Sequence, residues 1–176
     1  MPANIEIKAK VKNVEALKTK IESFYNIKPK EIFQVDTFFN IDKGRLKLRT
    51  FSKDKGELIF YERSNSAGPK RSDYFIYKTD NPDELKKVLE ISLGTRGIVR
   101  KRRLLYLVDK TRIHLDEVEN LGSFLELEEV LSPDQKENEG KQAAEDIMNK
   151  LGINDKDLIE LAYIDLLEKM NLSKKI

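Results

Sequence analysis

The sequence contains no cysteine, and this absence excludes several kinds of site. Without thiols the chain has no disulfide framework, no thiolate metal site and no cysteine nucleophile. It also lacks an apolar stretch at the amino terminus long enough for a signal peptide, and no uncharged run elsewhere is long enough to cross a bilayer. We therefore expect a soluble, cytoplasmic protein.

An excess of charge of one sign is missing as well. Lys and Arg total 33 against 31 Asp and Glu, which gives a formal net charge of +2. A nearly neutral chain is not expected to be attracted as a whole to nucleic acid or to a membrane, so any anion must be bound by local clusters of charge. There is no linker rich in Pro, Gly or Ser, and the 176 residues predict one domain, 1–176.

What the sequence does contain is charge at every second position of one predicted strand after another. Because side chains alternate between the two faces of a strand, each such set lies on one face of a sheet. Acidic sets fall near both ends of the sheet region and bracket basic sets in the middle. The sets are Asn4-Glu6-Lys8, Arg45-Lys47-Arg49, Lys101-Arg103, Arg112-His114-Asp116 and Glu126-Glu128. This pattern predicts a functional interior that is lined with charge.

The predicted strands are joined mostly by short turns, as at Asp42–Gly44 and Lys53–Gly56. Such connections are too short for crossovers, so the strands are antiparallel. Seven or eight strands are expected, enough to curl or close into a barrel.

Helices are expected at three places and in the carboxy-terminal tail. Asn13 is a candidate cap for the first helix and Asn81 for the second. The third is expected to start at Ser132, where Gln135 would complete a capping box. The tail from Asp157 through Leu167 is also predicted to be helical, and it could cover one end of a barrel as a plug.

Several of these segments, in this order, resemble the CYTH or triphosphate tunnel metalloenzyme superfamily, and within it proteins described as class IV adenylyl cyclase-like. The segments are NIEIKAKV, LKLR, RKRRLLY, RIHLDEVENLG, FLELE and AYIDLL. The resemblance implies an α+β fold in which an antiparallel eight-stranded β-barrel forms a hydrophilic tunnel, with helices at its flanks. It also implies an enzyme that depends on a divalent metal.

The resemblance implies roles for individual residues too. The ligands of a triphosphate would be Lys8, Lys47, Arg49, Arg63, Lys101 and Arg103, of which Lys8 and Arg103 would also be catalytic. The ligands of Mg²⁺ or Mn²⁺ would be Glu6, Asp116, Glu126 and Glu128. These residue types suit the chemistry, because Arg and Lys bind phosphate oxygens and a divalent ion reconciles carboxylates with an anionic substrate.

Two residues stand apart from this assignment. The family's opening motif is Glu-any-Glu-any-Lys, whereas this chain has Asn4 at the first acidic position. An amide oxygen can bind a hard cation but supplies no charge, so the number of metal ions, one or two, is left open. His114 is the only histidine, and we leave it outside the catalytic set because a single His in a strand is more often structural.

More than one function fits the sequence. The resemblance favours conversion of ATP to cyclic AMP and pyrophosphate, and the alternative reaction is hydrolysis of inorganic tripolyphosphate or thiamine triphosphate. Asn4 favours a barrel that binds a nucleotide or polyphosphate without turnover. Binding of single-stranded nucleic acid through Phe60, Tyr74 and Phe75 is least expected, because the net charge is close to zero. The expected partner is a small triphosphate, with no nucleic acid and no membrane, and a homodimer is allowed.

Overall fold

Strands dominate the first three quarters of the chain in the computed structural model, which describes residues 1–173. The strands are β1 (Ala3–Lys10), β2 (Lys30–Phe39), β3 (Arg45–Ser52), β4 (Lys55–Arg63), β5 (Lys70–Thr79), β6 (Thr95–Val108), β7 (Thr111–Val118) and β8 (Gly122–Val130). The helices are α1 (Val14–Tyr25), α2 (Pro82–Leu93), α3 (Glu137–Leu151) and α4 (Tyr163–Ser173), with a short 3₁₀ turn at Asp155–Asp157.

The strands of this described part form one closed barrel in the order β1-β5-β4-β3-β2-β6-β7-β8. Every neighbouring pair is antiparallel, and β8 closes the barrel by pairing with β1 over Asn4 to Lys10. Closure leaves no sheet edge with unpaired backbone groups. The antiparallel eight-stranded β-barrel with flanking helices is therefore confirmed.

The main hydrophobic core lies outside the barrel wall. Outward-facing side chains such as Ile7, Ile113 and Leu127 are buried beneath Ile21 of α1 and Met148 of α3. In β1, β7 and β8 apolar residues face outward and polar or charged residues face inward, which reverses the usual order for a sheet with one solvated face. Because the helices bury the apolar face, the inner face is available for charged side chains.

Two helices begin later than the sequence predicts. The predicted helix start at Ser132 is wrong: Gln135 Oε1 does accept from the Ser132 amide at 3.2 Å, but the Gln135 amide donates to the Ser132 carbonyl in a single turn, and α3 begins only at Glu137. The tail is not helical from Asp157, because Leu158 forms a bridge with Ala9 and the Ile159 amide donates to the Lys8 carbonyl at 2.8 Å. These tertiary hydrogen bonds keep the chain extended up to α4.

One end of the barrel is filled by a second apolar cluster. Phe38, Val99 and Phe124 from the strands pack there against Tyr163 and Ile164 of α4. The Tyr163 and Phe124 rings are tilted, with centroids 5.0 Å apart. The carboxy-terminal segment therefore covers one barrel end, as its sequence predicts. None of the helices within residues 1–173 has the length and apolar character needed to span a membrane.

Gly56 lies where β4 passes under the start of α2. A Cβ atom at this position would lie 2.8 Å from Pro82 Cβ and 3.1 Å from the Arg49 carbonyl oxygen. Neither neighbour is a flexible chain end, so Gly56→Ala should destabilise the fold by about 1–3 kcal/mol through overpacking. Urea unfolding measures this change. Lys53→Ala, in the exposed turn just before, is the control and should stay within about 0.5 kcal/mol of wild type.

Candidate functional site

The barrel encloses a cavity of about 300 Å³ whose lining includes side chains from each of its strands, a size at the lower end of the range for small-molecule pockets. Ala162 and Tyr163 line it at the covered end. The predicted phosphate ligands all reach this lining: Lys8, Lys47, Arg49, Arg63, Lys101 and Arg103. Of the predicted metal ligands, Glu6, Glu126 and Glu128 line the cavity as well.

Asp36 on β2 binds the two basic side chains of β3 that line one wall of the cavity. It accepts hydrogen bonds from Arg49 Nε and Nη2, both at 2.8 Å, and from Lys47 Nζ at 3.0 Å. Burial alone would raise the pKa of the Asp36 carboxyl, but Arg49 and Lys47 hold it well below its usual range. The two basic side chains of β3 are thereby fixed beside a permanent negative charge.

Asp116 on β7 organises the second basic group in the same way. Arg103 donates to it through Nε and Nη2, both at 2.6 Å, while Lys101 Nζ lies 3.2 Å and the Tyr163 hydroxyl 2.9 Å away. Burial would raise the pKa of the Asp116 carboxyl, but Arg103 and Lys101 lower it. Asp116 is only 1% exposed and does not line the cavity. Arg103 Nη2 lies between it and Glu126, at 2.6 Å from Asp116 and 3.4 Å from Glu126.

Lys101 itself sits in an unfavourable place for a cation. Burial, together with the neighbouring Arg103, lowers the pKa of Lys101 to about 7, although Asp116 opposes this shift. Lys101 Nζ also lies 5.0 Å from the centre of the Tyr163 ring. Its charge near neutral pH therefore depends on what else enters the cavity.

The carboxylates of β8 lie across the barrel from the basic residues of β3. Glu126 pairs with Lys8 Nζ at 3.4 Å and with Arg103 Nη2 at 3.4 Å. Burial would raise the pKa of the Glu126 carboxyl, but these cations hold it well below its usual range. Glu128 pairs with Arg112 Nη2 at 2.9 Å. Both side chains line the cavity.

The histidine left out of the sequence assignment lies beside these two carboxylates. In the β7–β8 register His114 is directly opposite Glu126. One ligand atom each from His114, Glu126 and Glu128 can be chosen so that all lie within 4.8 Å of one another. Burial and Arg103 lower the pKa of His114, so the imidazole is neutral near pH 7, the form in which histidine binds metals. Within residues 1–173 this is the group of acidic and imidazole side chains placed to share a metal ion.

The strand β1 supplies one amide and one carboxylate to the same cavity. Glu6 pairs with Arg63 Nη1 at 2.9 Å, and burial raises the pKa of its carboxyl. Asn4, which stands at the first acidic position of the family motif, is buried, and its Oδ1 has no hydrogen-bond partner within the described residues. A buried acceptor without a donor suits coordination of a hard cation.

The donor set as a whole fits Mg²⁺ or Mn²⁺. Glu126 and Glu128 offer carboxylate oxygens, Asn4 offers an amide oxygen, and His114 offers a nitrogen that is free of hydrogen bonds within the described part of the chain. Hard divalent ions bind such oxygens, and Mn²⁺ also accepts an imidazole ligand.

Sequence reasoning missed two residues that shape this site. Asp36 shares its inward face with Gln34 and Phe38 at period two, so the alternation used for the other strands could have found it. Tyr163 could not have been found in this way. Its position in the barrel depends on how α4 packs against the strands, which no local pattern encodes.

Comparisons with known proteins agree with this architecture. The CYTH domain model matches residues 2–163 of the chain. A curated Methanocaldococcus jannaschii protein, provisionally named an adenylate cyclase, is 27% identical over 173 residues, covering 92% of this chain and 97% of its own.

Solved structures show the same barrel. A Pyrococcus horikoshii OT3 protein matches with a TM-score of 0.82 at 25% identity, covering 93% of this chain and 98% of its own. A Hippeastrum protein, named for adenylyl cyclase and described as having a dominant triphosphatase activity, matches with a TM-score of 0.67 and 96% coverage of both chains. At 15% identity that likeness is one of fold. Because the CYTH domain model matches nearly the whole chain, residues 2–163, the chain belongs to the CYTH domain family.

Proposed function

We propose that this protein binds a triphosphate inside its barrel and hydrolyses it with the help of a divalent cation. The observation that carries the proposal is the arrangement of charge around one cavity. Lys47 and Arg49 on β3 and Lys101 and Arg103 on β6 converge there, and the carboxylates of β8 lie across from β3. Linear polyphosphates carry charge of one sign along their length, so cations on β3 and β6, the two strands that flank β2, match them.

The ion pairs explain why a cation is needed as well as a phosphate. The inward-facing basic residues already have carboxylate partners, such as Asp36 for Arg49 and Glu126 for Lys8. A phosphate that takes over a basic partner leaves the carboxylate buried without compensation, which costs several kcal/mol. A divalent ion bound by Glu126 and Glu128 restores the balance. Phosphate is therefore expected to strengthen binding of the metal, and the metal to strengthen binding of phosphate.

The roles of the chain's own groups follow from their positions. Arg49 and Arg103 present planar guanidinium groups that can hold two phosphate oxygens each. Lys8 Nζ lies between Glu126 and the Tyr163 ring, 3.9 Å from the ring centre, where it can hold an attacking water or a phosphate oxygen. When bound, the cation would polarise the phosphoryl oxygens and offset the charge that develops there.

Conversion of ATP to cyclic AMP is the second candidate. The relative from Methanocaldococcus jannaschii carries an adenylate cyclase name. Ile32, Phe51 and Leu105 also line the cavity and could contact a nucleobase. We rank hydrolysis above cyclisation because the charged lining is sufficient to bind a triphosphate that carries no nucleoside, and no further subsite is needed.

The reaction can be tested directly with purified, tag-free protein. Tripolyphosphate with Mn²⁺ or Mg²⁺ should yield orthophosphate and pyrophosphate, and a chelator should abolish the release. ATP incubated in parallel is assayed for both cyclic AMP and orthophosphate. Cyclic AMP formed without orthophosphate would replace hydrolysis by the cyclase reaction. Metal-dependent binding without any product would indicate a binding barrel.

Removing one carboxylate should separate activity from folding. Glu126→Gln keeps the shape of the side chain but removes the charge shared by Lys8 and the cation, so turnover should fall by about 10²-fold or more. Thermal unfolding and circular dichroism establish that the variant is folded. Glu117→Gln is the matched control, because Glu117 is exposed on the outer face of β7. A Glu126→Gln enzyme with wild-type turnover would contradict the assignment.

The pKa of Lys101 predicts that binding takes up a proton. Because the pKa of Lys101 is lowered to about 7, the amine is mostly neutral at pH 8 and must be protonated to pair with phosphate. Proton uptake should approach one at pH 8 and vanish below about pH 6. Affinity for tripolyphosphate should then fall as the pH rises above 7. Calorimetry in buffers of different ionisation enthalpy measures the uptake.

Lys101→Arg is the control for this measurement, because a guanidinium stays charged across the whole range. Any proton uptake measured with the variant therefore comes from tripolyphosphate or from other groups of the protein. Equal uptake by the variant and the wild type at pH 8 would show that Lys101 is not the group that titrates.

A further inference from the structure

His114 has no role in the hydrolysis outlined above, yet its environment is unusual. It is 3% exposed on β7, and its Nδ1 has no hydrogen-bond partner among the residues that the structure describes. Buried polar atoms are nearly always paired, so an unpaired ring nitrogen aimed at two carboxylates points to a missing partner. The residue lines the same cavity as Glu126 and Glu128.

The distances around this nitrogen match those between two ligands of one metal ion. Nδ1 lies 3.6 Å from Glu126 Oε1 and 4.0 Å from Glu128 Oε1. Two atoms bound to the same ion at about 2.1 Å lie roughly 3.0 Å apart when adjacent and roughly 4.2 Å apart when opposite. Both observed separations fall inside that interval. The carboxylate oxygens thus need little movement to share an ion with His114.

A hydrogen bond from His114 to Glu126 accounts for the arrangement less well. A separation of 3.6 Å is too long for such a bond. The same Glu126 oxygen also has Arg103 Nη2 at 3.4 Å. A purely orienting role for the imidazole would place its nitrogen closer than this.

We propose that His114 is a direct nitrogen ligand of the cation held by Glu126 and Glu128, and that it makes the site selective for Mn²⁺ over Mg²⁺. Mg²⁺ favours a shell made entirely of oxygen, whereas imidazole suits first-row transition ions. The proposal rests on the proposed function in that it concerns the same cation. Asn4 Oδ1, also buried and unpaired within the described chain, lines the same cavity.

The single histidine makes the test unambiguous. Tag-free protein is prepared with ¹⁵N-labelled histidine and with unlabelled histidine, and each sample is loaded with Mn²⁺ alone. Pulsed electron paramagnetic resonance should detect coupling between Mn²⁺ and a directly bound nitrogen, and the coupling should change with the isotope. Only His114 can produce that change. Mn²⁺ bound without such coupling, or no Mn²⁺ bound at all, would overturn the proposal.

Calorimetry on a variant gives a second, independent readout. His114→Gln should weaken Mn²⁺ binding by about tenfold or more, a loss of the size seen when groups around a metal are removed. Mg²⁺ binding should change less, so the ratio of the two affinities should shrink. Glu117→Gln should leave both affinities unchanged. An unaltered ratio in a folded His114→Gln protein would count against the proposal.

Failure here can be told apart from failure of the proposed function. If Mn²⁺ binds through oxygen atoms only and tripolyphosphate is still hydrolysed, His114 is not a ligand but the enzyme activity stands. If the isotope-sensitive coupling is present and no triphosphate is cleaved, the metal site stands and the proposed reaction is wrong. The isotope experiment uses the unaltered protein, so it decides even where a variant fails to fold.

Discussion

Compensation of buried charge is the constraint on which the rest of this structure depends. Lys101, Arg103 and Asp116 are each less than 9% exposed, and none could stay ionised alone in such surroundings. The barrel meets this constraint with clusters in which one carboxylate serves two cations, as Asp36 does for Lys47 and Arg49. The clusters hold the basic side chains in fixed directions, so the groups proposed to bind phosphate need little reordering.

The fold can accommodate this charged interior because its main apolar core lies outside the barrel wall. Side chains on the outer face, such as Ile5 and Leu125, are fully buried against α1 and α3. Apolar burial is the main favourable term in folding, and here it accumulates outside the barrel wall. This apolar burial offsets the free-energy cost of burying charged side chains on the inner face. Stability and the candidate site thus occupy opposite faces of the same strands.

Much of the fold and part of the site could be predicted from the sequence, because both follow a period of two. The stripe of Lys47 and Arg49 is correct on that ground alone, and the order of the motifs indicates the family. Asp36 obeys the same period, but it stands between Gln34 and Phe38 on the inward face of β2, so no stripe of charge marks it. The start of α3 could not be predicted at Ser132, since the same polar atoms can close a turn or cap a helix.

Tyr163 shows a different limit of sequence reasoning. Its hydroxyl reaches Asp116 at 2.9 Å across a separation of 47 residues, and only the packing of α4 brings the two together. His114 shows a third limit. Its stripe was visible in the sequence, but its unpaired nitrogen emerges only once Glu126 lies opposite it. Local periodicity predicts on which face of a strand a residue lies. The residues that it contacts depend on the strand register and on segments that are distant in the sequence.

The apolar cluster at one end of the barrel makes the two ends of the cavity different. Phe38, Val99, Phe124 and Tyr163 close that end, so a linear molecule cannot pass through the barrel from one side to the other. It must enter and leave by the opposite mouth, with one terminus leading. For the proposed substrate this distinguishes the two ends of a polyphosphate chain. Any length beyond what the cavity holds would project outward from that mouth.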